Sequence, residues 1–105
     1  MDESSAVVRI WRGAIRTGDR DAYARYIEET GLAEYRDTDG NLDATMLMRD
    51  RGDGTTEVLT VSRWRDRAAI VGFAGDDIER AVFYPEDDRF LVERDEFVNH
   101  FDVVG

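Results

Sequence analysis

The chain has 105 residues, the usual size of a single domain, and 42% of them are hydrophobic, which argues against a disordered body. Its 24 acidic residues outnumber 14 basic ones and give a net charge of -10, so nucleic acid and anionic membranes are poor partners. Cysteine is absent, which excludes disulfides, iron–sulfur clusters and thiolate nucleophiles within the chain.

The charged residues have an unusual composition, because every basic residue is Arg and Asp is more frequent than Glu. Concentrated salt screens the mutual repulsion of an acidic surface, and such a surface stays soluble where a neutral one precipitates. The composition therefore predicts an acidic, halophilic protein of a high-salt cytosol. A GC-rich genome would explain the absence of Lys, but it leaves the excess of Asp unexplained.

The start of the chain and its hydropathy predict a cytoplasmic protein. The first five residues include the acids Asp2 and Glu3 and no basic residue, whereas a signal peptide begins with basic residues. No apolar run approaches the ~20 residues that a membrane-spanning helix needs. We expect residues 1–105 to form one domain in which residues 1–5 are a disordered tail.

A strand is the first predicted element. Residues 7–11 are β-branched and aromatic, and Val8 and Ile10 fall on one face of the strand. The opposite face carries Val7, Arg9 and Trp11. Both faces carry bulky side chains, so both are expected to be covered.

A helix is predicted next, with Asp19 as its N-cap and Gly31 as the residue that ends it. Its amphipathic stripe consists of Ala22, Tyr23, Tyr26, Ile27 and Thr30. Leu32 and Tyr35 are expected to anchor the segment that follows.

A β-hairpin is predicted in the middle of the chain. Residues 42–49 alternate along a strand, a turn follows at residues 52–54, and residues 57–64 form the second strand. Asp66 is the predicted N-cap of a second long helix, and Gly75 ends it.

The last third of the chain has weaker patterns. Residues 76–79 resemble a capping box and predict a short helix over residues 78–82, which Pro85 would end. One more helical turn is expected at residues 90–91, and residues 96–104 alternate as a final strand would.

This order of elements, β-α-β-β-α-(α)-β, is the split βαβ or ferredoxin-like arrangement. The predicted fold class is therefore α+β, with a four-stranded antiparallel sheet and helices on one of its faces. The other face is still partly apolar, and a chain of 105 residues has nothing left to cover it. A second copy of the chain is expected to do so, which makes the protein a homodimer.

Four segments, together with this topology, resemble the antibiotic biosynthesis monooxygenase family. They are residues 6–13 (AVVRIWRG), 60–64 (TVSRW), 73–87 (FAGDDIERAVFYPED) and 100–104 (HFDVV). Trp64, at the junction of a strand and a helix, is the most family-like single residue among them.

The resemblance implies a dimeric α+β barrel, in which two sheets pack face to face and a small pocket lies between each sheet and its helices. It also implies a cofactor-independent monooxygenase, since some members oxidise aromatic, polyketide-like molecules with O₂ and need neither metal nor flavin. Related members degrade haem, and others have no known activity. The expected ligand is therefore a small aromatic molecule, and no cofactor is expected.

Six residues are the candidates for such a site. His100 is the only His and the natural base, Arg9 could stabilise an anionic oxygen, and Tyr84 could donate a hydrogen bond. Trp11, Trp64 and Phe83 could form the walls around an aromatic ligand.

Each of these residues also has a structural interpretation. His100 could be exposed or purely structural, Arg9 could pair with a carboxylate, and the two Trp residues could belong to the core or a dimer interface. Two other functions remain open: a dimer that binds an aromatic ligand without chemistry, and a haem protein with His100 as axial ligand. One His and no Cys exclude a typical zinc site within one chain.

Overall fold

The computed structural model describes residues 6–105, and the tail expected at residues 1–5 lies outside the described residues. No helix in this described part is both long and apolar enough to cross a membrane. The elements in chain order are β1 (Val7–Arg16), α1 (Arg20–Ile27), α2 (Ala33–Asp37), β2 (Asn41–Asp50), β3 (Thr55–Trp64), α3 (Arg67–Ala74), α4 (Asp87–Phe90), β4 (Leu91–Arg94) and β5 (Asn99–Asp102).

The strands form one antiparallel sheet in the order β2-β3-β1-β4, and β5 also pairs with β1. β5 pairs with the first half of β1 and β4 with its second half, so these two short strands share one edge position. The predicted α+β, ferredoxin-like arrangement is confirmed, but the sheet has five strands and not four.

The final strand predicted over residues 96–104 is confirmed only at Asn99–Asp102, because the residues just before β5 bond elsewhere. The Val98 N–H donates to the Glu79 carbonyl at 2.8 Å, and the Ala81 N–H donates to the Glu96 carbonyl at 2.9 Å. These long-range bonds join residues 96–98 to the segment around residues 79–81 and not to β1. Alternation of side chains cannot reveal them.

β1 is longer than the five residues predicted for it. It pairs with β3 along its whole length, from Val7 opposite Trp64 to Arg16 opposite Thr55, so the backbone groups on that side of β1 have a partner strand throughout. The predicted division of faces is correct. Val7, Arg9 and Trp11 are buried beneath the helices.

The first helix begins as predicted but is stabilised differently. The Asp19 side chain makes no capping hydrogen bond, and its carboxylate lies 3.3 Å from the Arg16 guanidinium. Tyr23 and Ile27 are buried, whereas Ala22 is exposed. The stripe that faces the core is therefore narrower than the sequence predicted.

Gly31 does not end the helix. A wide π-helical turn over Glu28–Leu32 carries the chain through Gly31 into α2. Leu32 and Tyr35 are buried in the core as expected, and their burial holds the turn in place. The free energy of burying two large apolar side chains exceeds the cost of about 1 kcal/mol for a Gly within a helix.

The second long helix follows the sequence-based expectation closely. The Asp66 carboxylate accepts a hydrogen bond of 2.9 Å from the Ala69 N–H, and Gly75 ends α3 with a positive φ of 85°. The hairpin turn is also as predicted, with positive φ angles at Gly52 and Gly54.

The helix predicted over residues 78–82 is wrong, since the chain there is irregular. The carbonyls of Ile78 and Arg80 accept hydrogen bonds of 2.5 and 3.0 Å from the Arg9 side chain. A buried guanidinium requires acceptors, and this irregular segment provides two of them. The hydrogen bonds that the buried Arg9 side chain requires thus override the capping pattern that predicted a helix here.

Candidate functional site

A narrow pocket lies between the helical face of β1, the turn that joins α1 to α2, and the irregular segment before α4. Its cavity volume is about 30 Å³, so the walls lie close together in this conformation. The lining residues are Arg9, Trp11, Tyr23, Ile27, Gly31, Tyr35, Thr60, Val82, Phe83, Tyr84, Asp87 and Val98.

Arg9 is the cation of this pocket. It is 1% exposed, and its two terminal nitrogens donate to the Ile78 and Arg80 carbonyls. Its Nε has no hydrogen-bond partner, and none of the described carboxylates forms an ion pair with it. The guanidinium carbon also lies 5.7 Å from the centre of the Phe73 ring. A buried, unneutralised positive charge favours an anionic group in the pocket.

His100 lies behind Arg9 and does not line the pocket. Its side chain is 3% exposed, and its Nε2 is 3.2 Å from an Arg9 terminal nitrogen. Arg can only donate, so Nε2 is the acceptor and the imidazole proton sits on Nδ1. Nδ1 lies 3.3 Å from the Glu79 carboxylate, although the angle is too poor for a hydrogen bond.

The environment of His100 keeps its imidazole neutral. Burial lowers the pKa of His100, the Arg9 charge lowers it further, and Glu79 only partly opposes them. The predicted role of His100 as the base stays a prediction. The contact that the structure shows is with Arg9, whose guanidinium it helps to hold in place.

The two Trp residues have different positions. Trp11 lines the pocket and meets Phe83 edge to face, with ring centres 6.3 Å apart. Its indole N–H donates to the Asp95 carbonyl at 2.8 Å. Trp64 is fully buried in the core, where its N–H donates to the Ser62 hydroxyl at 2.9 Å, and it does not line the pocket.

Tyr84 lines the pocket, but its hydroxyl is already engaged. It donates a hydrogen bond of 2.9 Å to the Glu34 carboxylate. Burial raises the pKa of Tyr84, and the bond to Glu34 raises it further, so the phenol stays protonated. The ring contributes a wall, and the hydroxyl can still accept one hydrogen bond from a ligand.

Asp87 is a pocket residue that the sequence did not reveal. It is 3% exposed, and its Oδ2 accepts a hydrogen bond of 2.6 Å from the Tyr84 N–H. Its Oδ1 is buried without a partner. Asp87 lies in the acidic stretch of residues 86–88, and such a run usually marks a solvated surface, so no sequence signal separated it from its neighbours.

The site contains no evident place for a metal ion. Within residues 6–105, no group of three or more His, Asp or Glu side chains is arranged to hold one.

Comparisons with known proteins find similarity among solved structures. No protein-family model matches the chain, and no curated protein matches it. Among solved structures, a Bacillus cereus protein described as a candidate antibiotic biosynthesis monooxygenase superposes with a TM-score of 0.66 at 14% identity, covering 96% of this chain and 95% of that one.

Two further solved structures share this fold. SnoaB, a cofactor-independent oxygenase from Streptomyces nogalater, has a TM-score of 0.61 at 15% identity, over 96% of this chain and 95% of its own. Rv0793 from Mycobacterium tuberculosis has a TM-score of 0.62 at 21% identity, over 96% and 97%. The chain therefore has the fold of the antibiotic biosynthesis monooxygenase-type proteins, as the resemblance of its sequence implied.

Proposed function

We propose that this protein is a cofactor-independent monooxygenase that oxidises a small phenolic molecule, of aromatic or polyketide-like type. The observation that carries the proposal is Arg9, a buried cation that pairs with no carboxylate of residues 6–105, in a pocket walled by Trp11, Phe83 and Tyr84. The fold shared with a protein named as a cofactor-independent oxygenase supports it.

The proposed reaction needs only the substrate and O₂. A phenol that loses its proton becomes an electron-rich phenolate, which can transfer electrons to O₂ directly. Overall, a phenol and O₂ give a quinone and water, and the substrate supplies all four electrons. Arg9 would stabilise the negative oxygen, and the aromatic walls would exclude water and strengthen that interaction.

The haem alternative has less support from the contacts. A haem iron requires an axial ligand, and His100 is the only His. Its Nε2 faces Arg9 and its Nδ1 faces Glu79, so neither nitrogen is directed into the pocket. Titration of the protein with haemin should therefore produce no Soret band typical of His ligation.

The first prediction concerns Arg9. We expect purified protein to consume O₂ with at least one member of a panel of mono- and polycyclic phenols, and Arg9→Met to lower kcat by about 100-fold, the usual cost of losing one oxyanion-stabilising group. Stopped-flow O₂ uptake and mass spectrometry of the quinone would measure both. Arg16→Met, which removes an exposed Arg from the same strand, serves as the control and should retain wild-type kcat.

Two outcomes would count against this proposal. In the first outcome, the protein consumes O₂ with no phenol of the panel, although several phenols bind and quench Trp11 fluorescence. The protein would then be a binding protein for aromatic molecules. Alternatively, folded Arg9→Met oxidises phenols at the wild-type rate, which would remove the proposed role of the guanidinium.

We also propose that the protein is a homodimer that joins through the open face of the sheet. This face carries a band of apolar side chains, of which Leu47 and Phe101 are 51% and 52% exposed. The pairing of β1, β2, β3 and β5 places the members of the band side by side: Val8, Ile10, Leu47, Leu59, Val61 and Phe101. A second sheet would cover this band, and a stable interface should bury more than about 1,000 Å² in total.

The second prediction tests that interface. Light scattering in high salt should give twice the chain mass of 12.0 kDa for the wild type, and Leu47→Asp should shift the particle to the monomer mass, because a buried, unpaired carboxylate is costly. Val104→Asp, which adds the same charge at an exposed site outside the band, should remain dimeric. A wild-type particle of 12.0 kDa would contradict the proposal.

A further inference from the structure

We propose that Asp87 is the catalytic residue that takes the proton from the bound phenol. This inference rests on the proposed function, and it deepens that function by naming the proton acceptor. It is carried by two observations: Asp87 lines the pocket, and its buried Oδ1 has no hydrogen-bond partner among the described residues.

The two carboxylate oxygens of Asp87 differ in their hydrogen bonding. Oδ2 accepts the Tyr84 N–H at 2.6 Å and so fixes the position of the side chain. Oδ1 has no hydrogen-bond partner, although the residue is only 3% exposed and lines the pocket. A buried polar atom without a partner costs free energy, and a ligand that donates a hydrogen bond would remove that cost. A phenol hydroxyl is such a donor.

The surrounding charges leave Asp87 unneutralised. Arg94 forms its ion pair with Asp88 at 2.6 Å, and Arg9 bonds to backbone carbonyls. Burial raises the pKa of Asp87, the Asp88 charge adds to this effect, and the Tyr84 N–H and Arg94 only partly oppose it. A carboxylate with a raised pKa is a stronger base than an exposed one.

A purely structural role explains Asp87 less well. Accepting one N–H requires one oxygen, which Asn or Ser would supply without placing a charge in a buried position. His100, the base suggested by the sequence, lies behind Arg9 with Nε2 accepting from it. Among the carboxylate and imidazole groups of the described chain, Asp87 is the one that lines this pocket.

The proposed sequence of proton transfers balances. Oδ1 of Asp87 takes the phenol proton, and Arg9 stabilises the phenolate. The phenolate passes electrons to O₂, and the new C–O bond gives a peroxide anion, which takes the proton back from Asp87. The carbon then loses its hydrogen as a proton, the O–O bond breaks, and hydroxide and that proton leave as water. A quinone remains, and Asp87 is again ionised.

The test uses Asp87→Asn with 4-nitrophenol, whose phenol and phenolate forms differ in absorbance. The Asn carbonyl keeps the bond to the Tyr84 N–H, and the amide NH₂ replaces Oδ1, so an acceptor becomes a donor. We expect the pKa of bound 4-nitrophenol to fall in the variant, and kcat for oxidation of an active phenol to fall about 100-fold or more. Asp88→Asn is the matched control, since it removes the same charge from the exposed neighbour.

The folding of the variant can be checked independently. Because burial raises the pKa of Asp87, the folded state loses stability as pH rises from the ordinary Asp range through the raised value. Asp87→Asn should lack this loss and be at least as stable as the wild type at neutral pH. Should the Asn variant fail to fold, Asp87→Ser also offers an acceptor to the Tyr84 N–H and repeats the test.

The outcomes separate the two proposals. If Asp87→Asn changes neither the ionisation of bound 4-nitrophenol nor kcat, or if Asp88→Asn causes the same changes, Asp87 is not the acceptor, while oxygenase activity of the wild type stands. If Asp87→Asn shifts the pKa of bound 4-nitrophenol but the wild type oxidises no phenol, the assignment of Asp87 as proton acceptor is supported. The proposed oxygenase function is then contradicted. A wild type that does not bind 4-nitrophenol would overturn the assignment of Asp87.

Discussion

The thermal midpoint of the folded protein should rise by about 10–20 °C between dilute buffer and 2–3 M KCl, since relief of about 2–3 kcal/mol shifts a domain of this size by that amount. The reason is the net charge of -10, which repels itself more strongly in the folded chain than in the expanded one. At 0.1 M salt the screening length is about 10 Å and much of the repulsion survives, whereas at molar salt it falls to about 3 Å. Differential scanning calorimetry measures the change.

Salt screens attractive as well as repulsive interactions between charges, but the relief of repulsion is expected to dominate its effect on stability. Salt also weakens surface ion pairs, such as Arg67 with Asp102 at 2.8 Å, yet exposed pairs contribute little to stability. Even if each of the 14 Arg residues pairs with one acid, ten of the 24 acidic residues have no Arg to neutralise them.

A charge-reduced variant is the control for the salt prediction. Changing the exposed acids Glu29, Asp43 and Asp76 to their amides takes the net charge from -10 to -7. The midpoint of this variant should depend less on salt than that of the wild type. A flat salt dependence in the wild type would contradict the halophile hypothesis and favour a chain shaped only by GC-rich coding.

Replacing Trp64 with Ala should lower the free energy of unfolding by about 3–5 kcal/mol, a large part of the total for a small domain. Trp64 is 0% exposed and packs edge to face against Tyr35, with ring centres 6.0 Å apart. Its removal would leave a cavity and remove the hydrogen bond of 2.9 Å that the Ser62 hydroxyl accepts from the indole N–H. Urea denaturation measures the loss.

Trp64→Phe separates stability from ligand binding. It keeps most of the ring volume and removes only the N–H, so we expect a smaller loss of stability and unchanged affinity for phenols. Trp11→Phe alters a pocket wall instead and should weaken phenol binding, with some loss of stability because the bond from the indole N–H to the Asp95 carbonyl is also removed. If Trp64→Phe weakened phenol binding while leaving the urea midpoint unchanged, Trp64 would belong to the binding site and not only to the core.

The sequence by itself determined the elements whose signals are local. The alternation along β2 and β3, the glycines of the hairpin turn, and the Asp66 cap and Gly75 end of α3 were all correct. Each depends on φ and ψ preferences or on hydrogen bonds between near neighbours, so each can be recognised in a short stretch of chain. Together with their order, they were sufficient for the fold class.

The tertiary structure alone decided the pocket and the elements around it. The segment over residues 78–82 is irregular because its carbonyls bond to Arg9, about seventy positions earlier in the chain. Gly31 lies within a helical turn because Leu32 and Tyr35 are buried beyond it. Asp87 differs from its exposed neighbours only through burial and the bond to the Tyr84 N–H. Such long-range contacts override local preferences, since the free energy of burying a side chain depends on everything that surrounds it in space.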